Sequence, residues 1–310
     1  EQVFGTTIKA QDEVIDITGY NYDSVSVDSI RLETDSSKNV ITIYYTKKAD
    51  LSYTVNYYEK DTNNKISDSK VVDKQTFEAE ITEKAIDIVG YVKPETDTQT
   101  IVIGVEENVI NFYYVKRKDL SYTVNYYEEG TTQKVAESKV IDNQVFKAEI
   151  RETPIEVSGY DRVSADSKTI IIGVEGNVID FYYTKRSDLS YVVNYYEKDT
   201  DKKITASKNV SGQIYLSDVT EQAMPIEGYV ADGETSKTIR IGVDTNVIDF
   251  YYVKRKDLSY TVDYLEKGTT KKIAESKIVE GQTFESDVTE QAIDIAGYDK
   301  VAPTSQSIII

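Results

Sequence analysis

Tyrosines and carboxylates are the side chains in this sequence with the means to do chemistry or to hold a ligand. The 310 residues include 26 Tyr and 54 Asp plus Glu against 36 Lys plus Arg, for a net charge of -18, and no His, Cys or Trp. Without His or Cys there is no Ser-His-Asp or Cys-His nucleophile system, no zinc site of the usual N/S type, no disulfide and no thioester. Two carboxylates alone can hydrolyse a glycoside. Here, however, the acids recur in copies of one small unit with no stretch set apart, which reads as a solvated acidic surface. No enzyme activity, cofactor or metal is expected. Asp199-Thr200-Asp201 is a calcium candidate, but its spacing is not that of an EF-hand loop, and Asp is an ordinary turn residue. A strongly acidic chain without a basic block excludes nucleic acid. No run of 18 apolar residues is present to cross a membrane.

The tyrosines fall into two sets. In Tyr-Thr-Val-Asn-Tyr-Tyr, residues 122–127, period-two alternation turns Tyr122, Val124 and Tyr126 one way and Thr123, Asn125 and Tyr127 the other. By this parity Tyr58, Tyr127 and Tyr196 lie on the solvent face of an opening strand. Tyr113, Tyr182 and Tyr251 lie on the solvent face of a closing strand, where Ile179, Phe181 and Tyr183 point inward. If the two strands are neighbours, each unit carries one aromatic patch beside Asn and Asp, a platform for sugar rings. The competing reading is a cross-strand aromatic pair that only stabilises the sheet, and Leu265 at the Tyr58 position favours it. The same parity puts Asn56, Asn125 and Asn194 (Asp263 in the last unit) on the polar face. A Lys-Asn isopeptide bond needs a buried lysine, so none is expected there, and intact mass checks this. Lys116-Arg117-Lys118, Lys185-Arg186 and Lys254-Arg255-Lys256 are expected to pair with nearby acids and blunt an edge strand.

The elements behind these residues belong to a repeat. Asp-Leu recurs at Asp50-Leu51, Asp119-Leu120, Asp188-Leu189 and Asp257-Leu258, every 69 residues. Gly-Tyr recurs at Gly19-Tyr20, Gly90-Tyr91, Gly159-Tyr160, Gly228-Tyr229 and Gly297-Tyr298, and Tyr-Tyr at Tyr44-Tyr45, Tyr113-Tyr114, Tyr182-Tyr183 and Tyr251-Tyr252. The repeats are therefore 50–118, 119–187 and 188–256. Residues 1–49 form a partial repeat lacking the opening strand, and residues 257–310 one lacking the closing strand. The chain reads as part of a longer array.

Within 119–187 the pattern predicts an opening strand, a turn at Gly130-Thr131-Thr132, a return strand over 134–141, a strand over 168–172 and a closing strand over 178–185. Gly173 and Asn177 read as a turn that uses positive φ. Ala79–Ile86 in the preceding repeat reads as a short helix that Gly90, like Gly159, stops in a left-handed conformation. Strands with one short helix make the predicted class α+β, mostly β, as a tandem array of small units. About 69 residues is near the lower limit for an independent core, and buried Tyr bodies help fill it. The connection from Tyr183 to Tyr191 has no Gly or Pro, which predicts an extended, stiff rod.

The order Tyr-Thr-Val-Asn-Tyr-Tyr, Gly-Tyr, Asn-Val-Ile-Asp-Phe-Tyr-Tyr resembles the MucBP (mucin-binding protein) repeats of Gram-positive surface proteins over essentially the whole chain. The resemblance implies a β-grasp (ubiquitin-like) unit, extracellular display on the cell wall and binding to mucin or host glycans. No sorting signal lies in this sequence, so the anchor is an inference from the family. The resulting expectation is a monomeric adhesin stalk with weak, multivalent glycan binding and no membrane insertion. The alternative is a spacer that only projects another domain.

Overall fold

The alternating segments fold as strands. In the computed structural model residues 2–310 are described, and among them there is no α-helix. Packing divides the chain into two compact units. One comprises residues 1–125, 137–153 and 166–180, and the other comprises 126–136, 154–165 and 181–310.

In the first unit, the opening strand Leu51–Glu59 lies at the centre of a four-stranded sheet. It pairs antiparallel with Lys65–Gln75 and parallel with the closing strand Val109–Lys116, whose far edge carries Tyr91–Val92. A second sheet joins Glu80–Lys84 to Thr98–Val102. Tyr53, Val55 and Tyr57 share a face with Ile110, Phe112 and Tyr114, and Val55, Ile110, Phe112 and Tyr114 are fully buried. Ile81 and Ile101 of the small sheet pack against them. Each such side chain contributes on the order of 1.5–3 kcal/mol by leaving water. Tyr114 satisfies its buried hydroxyl by donating to the Ile86 carbonyl (2.8 Å).

The second unit repeats this plan. Leu189–Glu197 pairs with Lys208–Gln213 and, in parallel, with Val247–Lys254, and Asp218–Gln222 joins Ser236–Arg240. In the same unit Tyr160–Arg162 lies antiparallel to residues 183–185, and in the first unit Glu149–Glu152 lies antiparallel to Lys168–Ile171. The inward residues Ile179, Phe181 and Tyr183 are buried. Each closing strand reaches the next opening strand through three residues, as from Lys185 to Leu189. There Arg186 makes a two-pronged ion pair with Asp188, as Arg117 does with Asp119 and Arg255 with Asp257.

Two expectations are corrected. The helix over Ala79–Ile86 is the strand Glu80–Lys84; the fold is mostly β, as expected, but without the helix that placed it in the α+β class. Pairing with Thr98–Val102, in which Thr82 and Thr100 share a hydroxyl hydrogen bond (2.9 Å), outweighs the local helical pattern. Gly90 does adopt a left-handed φ of 83°, but it follows no helix. The second correction concerns the turn over 173–177, whose positive φ falls at Gly176 (72°) and not at Gly173 or Asn177. Asn177 acts through its side chain instead. Its Oδ1 accepts from the Gly173 amide (2.7 Å), and its Nδ2 donates to the carbonyls of Gly173 and Ser121 (both 3.0 Å). Asn108 and Asn246 make the same clasp.

Candidate functional site

Parallel pairing of the opening and closing strands sets Tyr113 beside Tyr58 and Tyr251 beside Tyr196. The rings stack, with centroids 5.9 Å apart at 25° and 6.0 Å apart at 28°. Tyr127 and Tyr182 pair at 6.3 Å, tilted by 33°. The six tyrosines thus form three pairs, but the two columns differ in access. Tyr113 and Tyr251 are 46% and 41% exposed, whereas Tyr58, Tyr127, Tyr182 and Tyr196 are half-buried. The expectation that all six lie open to solvent is corrected accordingly. Lysines sit over some of the rings: Lys65 over Tyr58 (6.0 Å), Lys203 over Tyr196 (5.7 Å) and Lys237 over Tyr251 (5.7 Å). Such cations favour the ring quadrupole and take up part of its surface.

Tyr113 and Tyr251 each border an open concavity. One is lined by Lys60, Asp61, Thr62, Asn63 and Tyr113, the other by Lys198, Asp199, Thr200, Asp201, Asp232 and Tyr251. The turns are held rigidly. Thr62 donates to the Glu59 carbonyl (2.9 Å) and accepts from the Asn64 amide (3.1 Å), and the Lys60 amide donates to Tyr114 (2.8 Å). Thr200 and Lys198 do the same with Glu197, Lys202 and Tyr252. Asp61 and Asp199 adopt positive φ, 61° and 58°, conformations that Asp tolerates. Asp199 is therefore a turn residue. Among the described residues no group of three or more acids is gathered as a metal site. A further groove, bounded by Tyr260, Val262, Val288 and Ile308, occupies the place that the closing strand fills in the complete repeats.

Beneath the tyrosines lies a polar network. Asn194 donates to Asp249 (2.8 Å) and accepts from Lys203 (2.9 Å) and Ser207 (2.6 Å). Asn56 and Asn194 are 9% and 8% exposed, which corrects their placement on an open face, whereas Lys203 itself is exposed.

Another cluster was not singled out by sequence reasoning. Tyr53 of the opening strand and Lys70 of the return strand converge on Glu83 (2.5 and 2.6 Å), whose side chain is 12% exposed. Tyr191, Lys208 and Glu221 repeat it (2.5 and 2.6 Å), as do Tyr122, Lys139 and Glu152, and Tyr260, Lys277 and Glu290. The 69-residue recurrence of Tyr, Lys and Glu was its only sequence signal. Hydrogen bonds from Lys208 and Tyr191 hold the Glu221 carboxyl below its usual range. Burial, and then the carboxylate, push Tyr191 up to about 12.

No protein-family model and no curated protein matches the chain. Among solved structures, the Bacillus anthracis TIE protein is similar at 11% identity and a TM-score of 0.31. That match covers 70% of this chain and 54% of the other, so the chain spans about half the length of that protein. Mub-RV is similar at 12% identity and TM-score 0.17, over 44% of this chain and 99% of its own. A streptococcal ancillary pilin is similar at 9% identity and TM-score 0.21, over 71% and 84%. Likenesses this distant fix neither the fold nor the function of this chain.

Proposed function

We propose that this chain is a non-enzymatic repeat region displayed on the surface of a Gram-positive cell, in which each repeat makes a weak contact with mucin or other host glycans. The observation that carries this reading is the accessible ring of Tyr113 or Tyr251 beside a rigid turn rich in Asp, Asn and Thr. An aromatic face takes the apolar side of a sugar ring, and the turn supplies hydrogen bonds to its hydroxyls. Repeats 50–118, 119–187 and 188–256 are taken as the binding units, each a β-grasp-like module. Repetition turns weak contacts into avidity. On an array of mucin glycans the chain is expected to bind, and the triple variant Tyr113→Ala, Tyr182→Ala, Tyr251→Ala is expected to lose that binding while keeping its fold. Equal binding by the triple variant would overturn the tyrosine assignment.

A stalk that only projects another domain is the second reading. The three-residue connections clasped by Arg186-Asp188 and its counterparts favour it. Both readings take the array as an extended monomer. Solution scattering is expected to give a radius of gyration well above the roughly 19 Å of a globule of this length. Absence of glycan binding by the intact chain would leave the stalk.

A further inference from the structure

The Gly-Tyr dipeptides that recur along the chain stop no helix, yet each adopts the same left-handed corner. Gly19, Gly90, Gly159 and Gly228 have φ of 84°, 83°, 81° and 75°. Each is covered by an aromatic ring from the following repeat: Phe77, Phe146, Tyr215 and Phe284, in that order. A Cβ at any of the four would overlap that ring, so glycine is required twice, by φ and by the ring. The adjacent tyrosine meets the same ring edge to face, with centroids 5.6 Å apart for Tyr20–Phe77 and 5.5 Å for Tyr91–Phe146, Tyr160–Tyr215 and Tyr229–Phe284.

A backbone relay runs through each corner. The Arg117 amide donates to the Gly90 carbonyl (3.0 Å), and the Arg117 carbonyl accepts from the Phe146 amide (2.9 Å). Lys48, Arg186 and Arg255 hold the same place in the other three corners. The residue after each aromatic ring, Glu78, Lys147, Leu216 or Glu285, is held at positive φ between 59° and 63°. That is costly for a residue with a side chain, and it persists where surrounding contacts over-determine it. Its amide donates to the end of a strand in its own repeat, as Lys147 does to Ile172 (2.8 Å). Lys147 also sits over both Tyr91 and Phe146 (5.9 and 5.4 Å).

The chain supplies its own comparison. Gly297 has the same φ, 84°, but nothing lies within 4 Å of its Cβ position. It is exposed, and Tyr298 is 40% exposed. Conversely Phe4, placed like Phe77 just before a strand, is 72% exposed.

We propose that the Gly-Tyr corner is a docking surface whose partner is the leading aromatic residue of another repeat of this kind. The four filled corners then couple neighbouring repeats, so that each is stabilised by the next. In a repeat protein such contacts act as nearest-neighbour terms added to the intrinsic stability of each unit. The proposal is independent of glycan binding.

The paired variants Gly90→Ala and Gly297→Ala in the full chain test it, because both impose the same φ penalty and only the first evicts a ring. Gly90→Ala is expected to lower the melting midpoint by at least about 5 °C more than Gly297→Ala does. Phe146→Leu keeps apolar volume in its own repeat but removes the ring. It is expected to speed hydrogen exchange at least about tenfold in peptides spanning 88–92 and 115–119, the preceding repeat's side of the joint, while 189–197 keeps its rate. Equal midpoints for the two glycine variants, or faster exchange confined to residues 134–152, would overturn the coupling.

Discussion

Glu221 shows what a single side chain contributes here. It gathers Tyr191 and Lys208 around a carboxylate that is 12% exposed, and the three residues come from three strands. A carboxyl held below its usual 4.5 contributes stability above that pH and loses it as pH falls through the lower folded value. Glu83, Glu152 and Glu290 are held down in the same sense against the opposing effect of burial, which is the largest single effect at the first two. Urea stability is therefore expected to fall steadily below about pH 5. Tyrosine works from the other side. A hydroxyl pushed from 10.0 to about 12 contributes fully below 10.0 and is lost as pH rises through the folded value. Tyr191→Phe removes one of the carboxylate's donors. It should cost about 1–2 kcal/mol in urea titrations and shift the acid loss toward higher pH. An unchanged acid profile would show that Tyr191 does not hold the carboxylate.

At the scale of elements, the repeat depends on its two central parallel strands and on the turn that joins them to the small sheet. Phe250 lies in that seam, 1% exposed and stacked on Tyr195. Phe250→Ala should cost about 3–5 kcal/mol, enough to unfold a module of this size, and far-UV circular dichroism together with urea titration would register the loss. Asn246 closes the turn with three side-chain hydrogen bonds, one of them to the neighbouring opening strand. Asn246→Ala leaves those backbone groups short of partners and should cost about 1–3 kcal/mol, again read in urea. Period-two patterning was enough to place the opening and closing strands, because alternation is a local property. The reading of Ala79–Ile86 as a helix failed, because its state depends on pairing with Thr98–Val102.

For the whole molecule, number matters as well as geometry. In the proposed glycan-binding reading, three tyrosine pairs on one chain raise the effective concentration of the second and third contacts. A chain retaining only the Tyr251 pair, with Tyr113→Ala and Tyr182→Ala, should bind a mucin-coated surface at least about tenfold more weakly than the intact chain. Equal affinity would mean that one site carries all the binding. The charge of -18 is spread over the repeats, and it opposes close approach of neighbouring chains at low salt.

The sequence by itself determined the period, the strand alternation and the inward set Ile179, Phe181 and Tyr183. All of these follow from spacing along one strand or from exact recurrence. The tertiary structure alone decided which tyrosines stay accessible, that Asn177 works through its side chain, and that Glu83 unites Tyr53 with Lys70. It also gave the Gly-Tyr dipeptides their partners. Gly90 reads in sequence as the end of a local element, but the ring that demands it, Phe146, arrives from the next repeat. Contacts between residues tens of positions apart are set by how sheets pack, and no local periodicity encodes that.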